Sequence, residues 1–465
     1  VLTLSASDLA RRIRAGETTS RAVVEASIAQ VRRVNDRLNA LVADRFDAAL
    51  AEADAADALV AAGGDLPPFH GVPCTIKETF ALTGMPNTAG LVSRVGQPAT
   101  YDAITVERVR AAGAIPIGVT NVSELAMWFE SDNKVYGRTN NPYDHRRIVG
   151  GSSGGEGAAV AAAYAPFGVG SDIGGSIRMP AFFNGVFGHK PSAGLVPNDG
   201  QFPLDNSPAM LRYQCTGPLC RRAEDLLPLL RVLADAEVGP DEVDLSRVSV
   251  VSIETNGAID PIPELVAAQR RAVASLRELG APVRVASLPA LKRSFDIWGS
   301  MLSAAREVPF RTLLAGGGRF STPRELALLL RGRSAHTLPA LGLAMLERWP
   351  DLLPARGRKY VALGAALREE LLSLVGDGVL FYPSFPTVAP RHNQPLRSPF
   401  AFAYTGILNV MDLPATQVPL GLDPAGLPLG VQVAAAPGND ALTIAVARHL
   451  ESAFGGWVPP RGMVL

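Results

Sequence analysis

Apolar positions recur at helical spacing through 1–65, and then the texture changes. Val24, Ile28, Val31, Leu38 and Leu41 fall on one face of a helix predicted over 22–41, and 44–62 continues in the same style. Beyond them, short apolar and β-branched runs at 71–77, 114–120, 167–171, 248–253, 283–286, 379–382, 415–420 and 430–434 read as strands. Helical patterns at 104–112, 157–165, 263–279 and 440–454 lie between these runs. Strands alternating with helices predict an α/β fold, a mixed and mostly parallel twisted sheet with helices on both faces. From 300 to 374 the pattern is almost entirely helical and interrupts that alternation. Thr322-Pro323-Arg324-Glu325 reads there as a helix start, with the threonine as cap and proline at the first helical position.

Proline and glycine are dispersed along the chain, with no repeat of about 20–50 residues that would suggest a solenoid. The expectation is one domain over 1–465: helices over 1–65, a core over 66–255, a cap-like helical insertion over 300–374, and closing strands and a helix over 375–465.

Composition narrows the function classes. The 44 basic residues are balanced by 44 acidic ones, so no net charge points to a nucleic acid or an anionic membrane as partner. Three cysteines, Cys74, Cys215 and Cys220, make neither a disulfide framework nor a zinc pattern, so no metal or other cofactor is expected. They suggest a reducing compartment. There is no apolar run of about 18 residues, and arginines interrupt the amphipathic start at 1–14, so a cytoplasmic protein without a membrane anchor is expected. A homodimer is left open. Five of the 44 basic residues are lysines, which singles out Lys77 at the end of an apolar run.

The densest chemistry lies between Ile148 and Pro191, where Gly150-Gly151-Ser152-Ser153-Gly154-Gly155 and Gly174-Gly175-Ser176 flank an alanine-rich helix and a short strand. Glycine clusters let main-chain N–H groups converge on an anion. A phosphate loop would need a lysine that this tract lacks. Gly151-x-Ser153-x-Gly155 matches a nucleophile elbow in form, but the residues before it are turn-rich instead of a strand. That reading would also need a downstream histidine, from His189, His336, His392 or His449. A plain flexible turn is a further alternative, and the last reading pairs the glycine-framed serines with Lys77 as a general base, against a strand-end lysine that simply reaches solvent. A free lysine is neutral roughly once in 2,500 molecules at pH 7, so burial must lower its pKa by about 3 units.

These motifs resemble the amidase signature family, in particular its branch of bacterial amidases similar to fatty acid amide hydrolases. The family pattern is a lysine, then GGSSGG, then GGS followed by isoleucine or valine, arginine, a variable residue and proline. Lys77, Ser152 and Ser176 reproduce both the order and the intervals of that pattern. The likeness extends to GVPCTIKETFALTGM at 71–85 and GVTNVSEL at 118–125, and covers most of 4–454, weakly within 300–400.

The resemblance implies an amide hydrolase working through an acyl-enzyme. Ser176 would be the nucleophile, Ser152 the bridge after a cis peptide, and Lys77 the base. Main-chain N–H groups of Ile173, Gly174, Gly175 and Ser176 would bind the oxyanion. Asp172 and Arg178 would hold this turn, the alternative being two solvated charges, and Ser153 would join the network. Ala126 falls at a pocket edge. Met127-Trp128-Phe129 would line an acyl pocket, the alternative being ordinary core. A small-molecule amide with a hydrophobic acyl or aryl group is the expected substrate, with esters or carbamates sharing the same machinery. Two competing readings are a glutaminase component of glutamyl-tRNA amidotransferase and a non-catalytic binding protein. Against the first stand Ile173 and Met179, where that branch has threonine and glutamine.

Overall fold

Eleven strands hydrogen-bond into one continuous sheet. In chain order they are β1 (Leu41–Asp44), β2 (Pro73–Lys77), β3 (Ile115–Thr120), β6 (Phe167–Asp172), β7 (Phe187–Lys190) and β8 (Cys215–Cys220), then β9 (Val250–Ser252), β10 (Val283–Val285), β11 (Val379–Tyr382), β12 (Ala415–Leu422) and β13 (Pro428–Ala435). Two short strands, β4 (Asp132–Asn133) and β5 (Gly137–Arg138), pair apart from it as a ribbon. The spatial order is β1-β3-β2-β6-β8-β7-β12-β13-β11-β9-β10. The computed structural model describes residues 1–203, 205–347, 354–461 and 463.

The sheet is mixed, and its parallel pairs lie toward the two flanks. β2 runs parallel to β3 and β6 on one side, and β9 runs parallel to β10 and β11 on the other. The middle, from β6 through β8, β7, β12 and β13 to β11, is antiparallel. Helices Ile104–Ala111, Gly154–Ala161 and Pro263–Glu278 lie on the crossovers between parallel neighbours. Every residue of β2, β3, β6 and β8 is buried, which is why the first three read as apolar runs with no alternation.

The helical reading of 300–374 holds for its described residues. Helices Ser294–Ala305, Phe310–Leu314, Thr322–Leu330, Leu338–Leu346 and Pro354–Val375 occupy it, and the first packs on both Pro354–Val375 and Ala403–Val410. One detail shifts by a residue. Thr322 is the first helical residue, and Ser321 occupies the cap position without a side-chain hydrogen bond. Among the described residues no helix is long and apolar enough to cross a membrane.

Parallel strands open their carboxyl ends toward a common crevice, a recurrent location for ligand sites. Here the last residues of neighbouring β2 and β6 are Lys77 and Asp172.

Candidate active site

Lys77 ends a strand that is buried on both faces, so its amine has no route to water. It is fully buried, and its Nζ donates to Ser152 Oγ and to Ser171 Oγ, both at 2.8 Å. Burial disfavours the ammonium form and pushes the pKa down to about 7, against the opposing pull of the Asp172 and Glu156 charges. A substantial share of the amine is therefore neutral near pH 7.

The first glycine-serine cluster meets Lys77 from the far side. The Gly151–Ser152 peptide is cis. Ser131 fixes the tract by donating from Oγ to the Gly150 carbonyl (3.0 Å) and accepting the Gly154 N–H (3.1 Å). Ser153 serves as a tie: its N–H donates to the Ser176 carbonyl at 3.2 Å and its Oγ to the Ser171 carbonyl at 3.3 Å. The two serine clusters are thus joined through Ser153. Ser152 and Ser176 hydroxyls are not themselves joined among the described hydrogen bonds.

After β6 the chain turns through 173–177 into the helix Arg178–Phe183, and Asp172 holds that turn. Its carboxylate accepts the Gly175 N–H (2.7 Å), the Ile177 N–H (3.1 Å), Arg178 Nε (3.1 Å), Arg178 Nη2 (3.0 Å) and Asn409 Nδ2 (2.9 Å). Burial raises its pKa, but the Arg178 charge and these donors overcome that and hold the carboxyl well below its usual range. Asp172 and Arg178 are therefore a buried ion pair and not solvated charges.

The carbonyls of residues 173–176 are all engaged elsewhere. Trp298 Nε1 donates to Ile173 (3.0 Å), Thr405 Oγ1 to Gly174 (2.9 Å), the Met179 N–H to Gly175 (2.7 Å), and Ser153 to Ser176. No acceptor takes the N–H groups of Ile173, Gly174 and Ser176 among the described hydrogen bonds. The fourth expected donor differs. The Gly175 N–H is committed to Asp172 and so fixes the turn. Glycine is required at 175, where φ is +114° and a Cβ would sit 2.0 Å from Thr405 Oγ1.

A cavity of about 660 Å³ opens onto Ser176, Ile173 and Gly174. Ala126, Met127, Trp128 and Phe129 form one wall, so the aromatic run faces this space as well as the core. Phe295, Trp298, Phe400 and Phe402 form the other, with Trp298 edge-on to Phe402 at 4.8 Å. Leu338, Gly342 and Leu343 from the helical insertion also line it. Two ion pairs mark the wall, Arg306–Glu347 at 2.7 Å and Arg356–Asp296 at 3.1 Å.

The histidines an elbow would need serve other networks. His189 meets Asp440 and Thr416, His336 meets Glu124, His392 meets Glu130, and His449 meets Ser275. Sequence reading missed Ser171, Glu156, Trp298, Thr405 and Asn409. Ser171 alone carried a signal, since it lies on the strand leading into Asp172.

The chain matches the model of the family described as "Amidase" over residues 22–444. It is 47% identical to the Homo sapiens protein named fatty-acid amide hydrolase 2, across 99% of this chain and 91% of the relative. The indoleacetamide hydrolase of Bradyrhizobium diazoefficiens is 31% identical, over 97% of this chain and 86% of its own. Among solved structures, 6-aminohexanoate cyclic dimer hydrolase superposes with a TM-score of 0.81 at 27% identity, covering 99% of each chain.

The burial of Lys77 sets a pH dependence. Below its pKa the amine is an ammonium and cannot accept a proton; above it the neutral amine can. We expect kcat/KM for an amide to climb with pH along a limb of apparent pKa about 7 and then level off. A limb near the free-lysine value of about 10.4 would show that the amine is solvated.

Proposed function

Because this chain belongs to the amidase family and is an amide hydrolase, we propose that it cleaves amides of hydrophobic acyl or aryl groups through an acyl-enzyme on Ser176. The observation that carries this reading is a buried Lys77 bonded to Ser152 beside an apolar cavity that opens onto Ser176. The name of the 47% identical human relative carries the same substrate class, fatty acyl amides.

In this mechanism neutral Lys77 takes the Ser152 proton as Ser152 takes that of Ser176. The Ser176 oxygen attacks the carbonyl, and the negative charge forming on the carbonyl oxygen is met by the N–H groups of Ile173, Gly174 and Ser176. Main-chain donors held in place before the reaction need no reorganisation as the charge develops. The C–N bond then breaks while the proton returns from Lys77 through Ser152 to the leaving nitrogen. Water adds to the Ser176 ester, its proton passing along the same relay, and releases the carboxylic acid. Asp172 and Arg178 hold the turn throughout without exchanging protons with substrate. The helical insertion covers the acyl group and excludes water from it. Ile173 and Met179, where the glutaminase branch has threonine and glutamine, argue against the glutaminase reading.

Two outcomes test the proposal. With saturated acyl amides of increasing length, kcat/KM should rise up to about fourfold per methylene until the cavity is filled, following about 0.8 kcal/mol for each buried CH₂. Glutamine turned over faster than a medium-chain amide would contradict the substrate class. For the relay, Lys77→Ala should damage amide hydrolysis more than hydrolysis of the p-nitrophenyl ester of the same acid. The phenolate leaves unaided, whereas the amine needs the returning proton, and such assistance is worth about 10²–10⁴-fold. Equal losses on amide and ester, in a protein with unchanged circular dichroism, would remove Lys77 as the acid for the leaving group.

A further inference from the structure

One buried titratable group beside the site has no part in the mechanism above. Glu156 lies in the helix Gly154–Ala161, just beyond the serine pair, and is fully buried. Its two carboxylate oxygens accept from Thr75 Oγ1 at 2.6 Å and Thr120 Oγ1 at 2.7 Å. Those hydroxyls come from β2 and β3. The third side of the slot is β6, where a Cβ on Gly168 would lie 1.7 Å from Glu156 Oε2. Three strands thus leave room for one carboxylate and supply both of its donors.

The slot lies next to Lys77. Thr75 and Lys77 are two residues apart on β2 and point to the same face, about 7 Å apart along the strand. The Lys77 amine is occupied by Ser152 and Ser171, and the carboxylate by the two threonines. Amine and carboxylate therefore act on each other through space, in surroundings where charge is weakly screened. The other charges nearby are accounted for. Asp172 is paired with Arg178. Glu78 follows Lys77 in the chain, but its carboxylate accepts from Thr88, Ala89 and Tyr136. The Cys74 thiol is pushed up by burial and stays protonated. Among the described residues no cation pairs with Glu156.

We propose that Glu156 is a positioning residue for the base: its carboxyl, held in the slot made by Thr75, Thr120 and Gly168, sets the pH at which Lys77 becomes neutral. This rests on the reading of Lys77 as the base. An ionised Glu156 favours the ammonium form of Lys77 and so holds the enzyme back at lower pH. Burial pushes Glu156 up to about 7, while the Thr75 and Thr120 hydroxyls and Lys77 pull the other way, so the two groups titrate over one range and are coupled.

The test is the pH profile of kcat/KM in Glu156→Gln, which keeps the size and one acceptor oxygen but removes the charge. Its acid limb, read against the variant's own plateau, should lie about 0.5–1 pH unit below that of the wild type. Thr75→Val removes one donor to the carboxylate, makes it harder to ionise, and should shift the limb the same way by less; it carries the test if Glu156→Gln fails to fold. A limb that stays in place in the folded variant, or moves up, overturns the proposal. Lys77→Ala distinguishes failure of this proposal from failure of the base itself. If that variant is inactive on amides while Glu156→Gln leaves the limb in place, only the role of Glu156 falls. If Lys77→Ala hydrolyses amides at the wild-type rate, both fall.

Discussion

Lys77 is kept from water by a strand that is buried on both faces, and the arrangement of the site follows from that burial. An ammonium there lacks the solvent that would stabilise it, so the neutral amine becomes accessible near pH 7. The amine still needs hydrogen-bond partners, and Ser152 and Ser171 provide them without a compensating charge. A carboxylate in direct contact would have favoured the ammonium form. The nearby carboxyl of Glu156 is instead held off by two threonine hydroxyls.

The neighbouring charges follow the opposite logic. Asp172 and Arg178 are equally buried but fully compensated, with Arg178 also donating to Gln432 Oε1 at 2.7 Å and Asn409 Oδ1 at 2.6 Å. Removing one partner of such a pair is strongly destabilising, typically by about 3–5 kcal/mol, because the other charge is left buried. This pair fixes the turn that carries Ser176, and the carbonyls of residues 173–176 are all engaged by neighbouring donors. A buried charged pair thus holds the turn, beside a buried amine whose neutral form is accessible near pH 7.

Much of this was legible in the chain, for identifiable reasons. The strand at 379–382 and the helix at 440–454 are found where the pattern placed them, since each is a clean apolar period bounded by turn residues. β1 was absorbed into two helical patterns because it is a short strand between helices. β8 was missed because Gly217 and Pro218 break its pattern. The proline is tolerated since pairing with β7 stops at Leu219, so no ladder bond is lost on that side. At the site, the spacing of Lys77, Ser152 and Ser176 was visible, and so was the charge pair at 172 and 178. Trp298, Thr405 and Asn409 were not, because each reaches the turn from a distant part of the chain through tertiary packing alone.

Everything proposed for the site turns on Ser176, and neither Ser152 nor Ser153, forming the acyl-enzyme. The most direct measurement is to treat the protein with a fluorophosphonate, weigh the intact adduct and map the modified peptide. A single adduct on Ser176 is expected, lost in Ser176→Ala and slowed in Lys77→Ala. An adduct on Ser153 that persists in Ser176→Ala would contradict it.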